Sequence, residues 1–147
     1  MTANRNRGRE VPQEWYEFPV FYFTNPNAVF GHDDVIPYPH YTKAMDYELE
    51  VAIVIGKGGV YINEADALAH VAGYCVINDV SERHFQLERN GQWDKGKGCD
   101  SFGPLGPRLV TPDEIADIGQ LSIWLEVNGH RYQDGNTRTM IFLSLIQ

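Results

Sequence analysis

Apolar and polar positions alternate most regularly over residues 46–55, which read DYELEVAIVI. A strand turns successive side chains to opposite faces, so Tyr47, Leu49, Val51, Ile53 and Ile55 make one wholly apolar face. The other face opens with Asp46, Glu48 and Glu50 and turns apolar at Ala52 and Val54. The solvated side of an antiparallel sheet stays polar along its length. The pattern therefore predicts a strand over 46–55 that is covered on both faces. Residues 74–77, YCVI, are almost continuously apolar and predict a second strand, which delivers Asn78 and Asp79 at its end.

Around these two runs, the aromatics and Val20 predict a strand over 15–23, closed by the turn-forming Asn25-Pro26-Asn27. A short strand over 28–30, a turn at 31–34 and an extended, proline-rich connector through Pro37 and Pro39 lead to residue 46. Asn63 and Asp66 resemble a capping box before Ala65, Ala67, Leu68 and Ala69, predicting a helix over 64–71 that Gly73 ends. Ser81 is placed to cap a second helix, on which Arg83 and Gln86 share a face one turn beyond Asp79. Residues 91–98, GQWDKGKG, predict an irregular loop whose glycines let the backbone approach a neighbour closely. Thr111, Pro112 and Glu114 fit the start of a brief helix. Residues 121–127 alternate, Asn128-Gly129 is a type I′ turn signal, and 130–133 return as the partner strand. Thr137 or Thr139 is placed to cap a last helix from Met140, whose apolar run to Ile146 meets no stop signal. The polar stretch 1–9 predicts no regular structure.

Composition narrows the partners. A chain of 147 residues with 43% apolar and 22% charged content fits one globular domain. Its net charge of −8 argues against nucleic acid, which is bound by clustered Lys and Arg. Cys75 and Cys99 form no C-x-x-C pair and no secretory signal is present, so reduced thiols and a cytoplasmic location are expected. No apolar run is long enough for a membrane span, so a membrane is not an expected partner.

The candidate chemistry lies on the carboxylates. Two residues apart on one strand face, Glu48 and Glu50 have Cα atoms roughly 6.6 Å from each other, close enough to share a cation. Oxygen-only ligands favour Mg²⁺, Mn²⁺ or Ca²⁺ over zinc. The alternative is a solvated, acidic strand start. Asp79, closing a buried strand, is the place for a third ligand. Arg83 alone reads as a solvated or ion-paired helix residue rather than a substrate clamp, Lys95 as a surface lysine, and Cys99 as a small buried thiol. The five histidines show no ligand spacing, and none is assigned to a metal.

Three segments, DYELE at 46–50, VAGYCVINDVSER at 71–83 and KGKGCDSFGPLGP at 95–107, closely resemble the fumarylacetoacetate hydrolase family in order and spacing. The match runs from about Gly8 onward. It is nearest to bacterial members that act as acylpyruvate or diketo-sugar-acid hydrolases, ureidoglycolate lyases or hydroxymuconate isomerases. The resemblance implies an α+β, mostly β fold, a mixed β-sandwich or roll with short helices, incomplete at both ends. It places a partial catalytic domain over 10–147 after a disordered segment 1–9, and implies a homodimer for the full-length protein. It makes Glu48, Glu50 and Asp79 the metal ligands, for Mg²⁺ or Mn²⁺ with Ca²⁺ also admitted. Arg83 and Gln86 become substrate-binding residues and Lys97 the catalytic lysine. The implied activity is metal-dependent hydrolysis of a C–C bond in a small 2,4-dioxo acid. The other readings are an isomerase, decarboxylase or lyase acting on oxo acids, and a truncated, non-catalytic metal- and oxo-acid-binding module. The family's H-x-x-E base pair would fall on Ala3 and Asn6, and its C-terminal G-T-P loop lies beyond Gln147. Asn25 stands where Lys is usual, and His84 where an acidic residue follows the Arg.

Overall fold

The computed structural model describes residues 11–142. Eight strands and one short α-helix are formed among them: β1 (Val29–Phe30), β2 (Met45–Asp46), β3 (Leu49–Ile55), β4 (Val71–Asn78), β5 (Ser81–Glu82), α1 (Trp93–Lys97), β6 (Gly103–Pro104), β7 (Ser122–Val127) and β8 (His130–Asn136). Single 3₁₀ turns join several of them. The pairs are β1 with β6 in parallel, β2 with β5 and β7 with β8 antiparallel, and β3 with β4. This is the α+β, mostly β architecture expected from the sequence. The chain packs as two units, one holding 21–52 and 75–109, the other 11–20, 53–74 and 110–142.

In the second unit, Asn128 and Gly129 take φ of 51° and 78°, the left-handed pair a type I′ turn requires. The β7–β8 hairpin forms around them as expected, with a register slip at Leu125/Glu126. Below it, the Thr137 hydroxyl donates to the Ile118 carbonyl (2.7 Å) and accepts from Leu121 N–H (2.9 Å). Residues Glu64–His70 are helical but 3₁₀. Seven residues leave little room to recover the cost of α-nucleation. Asn63 makes no cap bond through its side chain, and Gly73 does not end the helix but lies buried inside β4. The brief helix at 112 is likewise a 3₁₀ turn, Pro112–Glu114.

Several expected elements are different. No strand runs over 15–23: Gln13–Tyr16 is a 3₁₀ turn, and Phe18, Phe21 and Phe23 are more than 70% exposed. Pro19 removes a ladder donor in the middle of that run. The strand predicted over 46–55 is broken at Tyr47 and Glu48, because the Asn78 side chain replaces a ladder carbonyl, accepting from Glu48 N–H at 3.1 Å. Ser81 caps no helix; it belongs to β5, and the following turn, His84–Glu88, has π geometry. At its start the Glu82 carboxylate accepts from Phe85 N–H at 2.5 Å and from the Thr42 hydroxyl at 2.6 Å. The predicted loop over 91–98 contains α1. Met140 is extended (ψ 137°), so no helix starts there. The rest of that predicted helix, residues 143–147, and the stretch 1–9 lie outside the described residues.

Ala28, Cys75, Val80 and Phe102 form the buried apolar centre of the first unit. Val80 N–H donates to the Phe102 carbonyl at 3.1 Å, which fixes the chain immediately after Asp79.

Candidate functional site

All six residues singled out in the sequence lie in the first unit, and five of them meet around the strand break through side-chain bonds and carboxylate proximity. Asp79 N–H donates to the Glu48 carbonyl at 2.8 Å, setting these two residues side by side. Glu50 follows on β3. Each of Glu48, Glu50 and Asp79 offers a carboxylate oxygen, and the three oxygens lie within 4.8 Å of one another.

Lys97, at the end of α1, enters the same space with only 3% of its side chain exposed. Its ammonium donates to Glu48 Oε2 at 2.7 Å, to Ser81 Oγ at 2.9 Å and to Asp79 Oδ2. All three of its donors are thereby used. Arg83 donates from Nε to Asp46 Oδ2 at 2.9 Å, from one terminal nitrogen to Glu48 Oε1, and from the other to Gln86 Oε1 at 2.7 Å. Gln86 is 2% exposed and sits behind Arg83, orienting its guanidinium. Tyr22 donates to Asp79 Oδ2 at 2.6 Å, and its ring centroid lies 5.3 Å from the Lys97 ammonium.

Four carboxylates thus face two cations, and Glu50 is the one of the four that accepts from neither. Among the described residues nothing donates a hydrogen bond to its carboxylate. Burial, then the charges of Asp79 and Glu48, push its pKa up to about 7. Glu48 goes the other way: burial opposes its charge, but the bonds from Arg83 and Lys97 hold it below the usual range. Arg83 is raised despite burial by its bonds to Glu48 and Asp46. Burial first, then the bond to Asp79, raise the Tyr22 phenol, keeping it a donor.

Clustered carboxylates short of positive charge, all hard oxygen donors, fit a divalent cation of the Mg²⁺ or Mn²⁺ kind. No histidine or cysteine joins this group among the described residues, which disfavours zinc. Cys75 is buried, Cys99 only half-buried, and both are free.

Sequence reasoning missed Tyr22, Asp46 and Ser81 as members of the site. Asp46 stands on the same strand face as Glu48, so its signal was present. Ser81 carries the sequence signal of a helix cap, and nothing in the aromatic run 15–23 marks Tyr22. Ala3 and Asn6, matched to the family's base pair, lie outside the described residues.

The fold and the cluster define an α+β protein with a lysine-filled acidic site. The chain belongs to the fumarylacetoacetate hydrolase family, since the profile of the fumarylacetoacetate (FAA) hydrolase C-terminal domain matches residues 2–145. A relative from Burkholderia ambifaria, provisionally named a hydrolase, is 53% identical over 135 residues, covering 92% of this chain and 46% of its own length. The crystal structure of a 2-hydroxyhepta-2,4-diene-1,7-dioate isomerase from Mycobacterium marinum superposes with a TM-score of 0.79 at 36% identity, over 84% of this chain and 48% of that one. A fumarylacetoacetate hydrolase from psychrophilic Exiguobacterium antarcticum gives 0.76 at 36% identity, over 83% and 44%. The chain therefore spans about half the length of the relatives it matches. No helix among the described residues is long and apolar enough to cross a membrane.

Proposed function

We propose that Glu48, Glu50 and Asp79 bind one divalent cation, Mg²⁺ or Mn²⁺, and that the site hydrolyses a C–C bond in a small 2,4-dioxo acid of the acylpyruvate type. The observation that carries this reading is the set of three carboxylate oxygens within 4.8 Å, where Glu50 receives no hydrogen bond from any of the described residues. A cation bound there supplies a Lewis acid toward the carboxylate and 2-oxo oxygens of such a substrate.

The chain's own residues supply the rest. Lys97, buried and fixed by three acceptors, holds a positive charge beside the cluster, where negative charge develops as the C–C bond breaks. Arg83, aimed by Gln86 and Asp46, presents a planar guanidinium suited to a carboxylate. It reaches a substrate by exchanging Glu48 for the substrate's carboxylate.

An isomerase reading draws on the Mycobacterium marinum relative, because shifting a double bond beside a 2-oxo acid calls on the same charge stabilisation. One assay separates the two. The chain is incubated with acetylpyruvate and with a hydroxymuconate-type dienoate, with Mg²⁺ or Mn²⁺ and with chelator. Release of pyruvate that requires metal and is lost in Glu48→Gln supports hydrolysis. Isomerisation of the dienoate alone favours the second reading, and no metal-dependent change in either substrate contradicts both.

A further inference from the structure

Tyr22 and Asp79 are 57 residues apart in the chain, yet the phenol donates to Asp79 Oδ2 at 2.6 Å. The same oxygen accepts from Lys97. Two donors therefore hold Oδ2, while among the described residues none reaches Oδ1. Asp79 is 7% exposed, so water has little access to substitute for either donor.

A carboxylate free to swivel can meet a cation with both oxygens; one pinned at a single oxygen binds through the other. That difference separates cations. Ca²⁺ accepts two-oxygen carboxylates and irregular shells of six to eight ligands, whereas Mg²⁺ demands near-octahedral, single-oxygen ligation.

We propose that Tyr22 is a positioning residue that sets cation preference: its hydroxyl, with Lys97, pins Oδ2 of Asp79 and reserves Oδ1 for the ion, favouring Mg²⁺ or Mn²⁺ over Ca²⁺. This rests on the cation-binding reading of the cluster given above. The aromatic ring has a separate part, lying against the Lys97 ammonium and 6.2 Å from the Trp93 ring. Tyr22→Phe keeps that ring and removes only the hydroxyl.

The test is calorimetric titration of the purified chain and of Tyr22→Phe with MgCl₂ and, separately, with CaCl₂, alongside metal-free melting curves. Losing a hydrogen-bond partner of a metal ligand typically weakens metal affinity about 10- to 100-fold. The expected result is a fall of that order for Mg²⁺ in Tyr22→Phe with a smaller fall for Ca²⁺, so that the preference narrows while the melting temperature holds. Equal affinities in the two proteins overturn the role of Tyr22 and leave the cation site standing. An equal loss for both cations with a lowered melting temperature makes the hydroxyl merely structural and also overturns it. No binding of either cation by the unmodified chain removes the site itself, and Tyr22's role with it.

Discussion

Lys97 sits where a lysine has no reason to be unless its charge is used. A buried ammonium needs close acceptors to offset its lost hydration, and Glu48, Asp79 and Ser81 supply one for each donor. Truncation to Lys97→Met keeps much of the volume but leaves two carboxylates facing each other beside Glu50. Removing one partner of a buried ion pair costs about 3–5 kcal/mol, and the group is buried enough for that range to apply. Urea denaturation of Lys97→Met should show a loss of that order, and a loss under about 1 kcal/mol would place Lys97 in solvent-like surroundings. At this scale the sequence was most legible where chemistry follows a local rule. Alternation in the sequence puts Glu48 and Glu50 on one side of the chain, although Glu48 lies just outside β3, and Asp79 closes an apolar run. Tyr22 was not legible, since its partner comes from a segment 57 residues away. Its neighbours Phe21 and Phe23, both exposed, present the same aromatic signal with no such role.

At the scale of elements, the contact between α1 and the turn His84–Glu88 decides whether Lys97 and Arg83 reach the same carboxylate. Gly96 makes it possible. A Cβ there would collide with the Gln86 Cβ and lie 2.8 Å from the Gln86 backbone. Two effects compete in Gly96→Ala. Alanine gains about 1 kcal/mol of helix propensity, but overpacking costs about 1–3 kcal/mol. Here the obstructing atoms are backbone, and they cannot yield without moving Arg83, so the clash wins. The variant should unfold at lower urea concentration than the parent; an unchanged or raised midpoint would mean that α1 and the turn adjust freely. This also explains why the helix was hidden in the sequence. Two glycines in the last residues of 91–98 read as a loop, when one of them serves close packing. By contrast, the 122–136 hairpin was legible because Asn128-Gly129 carries its own geometry. The helical stretches at 64–70 and 84–88 are legible as helical in the sequence, but not the start of the second or the hydrogen-bond pattern of either. Short helices take their type from what they pack against, such as the Glu82 carboxylate at Phe85 N–H.

For the molecule as a whole, the family resemblance was legible because three motifs recur in order around one site, and the match over residues 2–145 bears it out. What sequence pattern left open is how far the strands extend. The predicted strand over 46–55 breaks where the Asn78 side chain takes over a backbone bond, and that break is what turns Glu48 toward Asp79. On the reading proposed above, this break builds a cation site. Crystals of the chain soaked in MnCl₂, with diffraction recorded where manganese scatters anomalously, test it most directly. The expected result is a single strong anomalous peak, bonded at about 2.0–2.2 Å to one oxygen each of Glu48, Glu50 and Asp79. Manganese bound elsewhere, or none at this cluster with Lys97 still bridging Glu48 and Asp79, would contradict it.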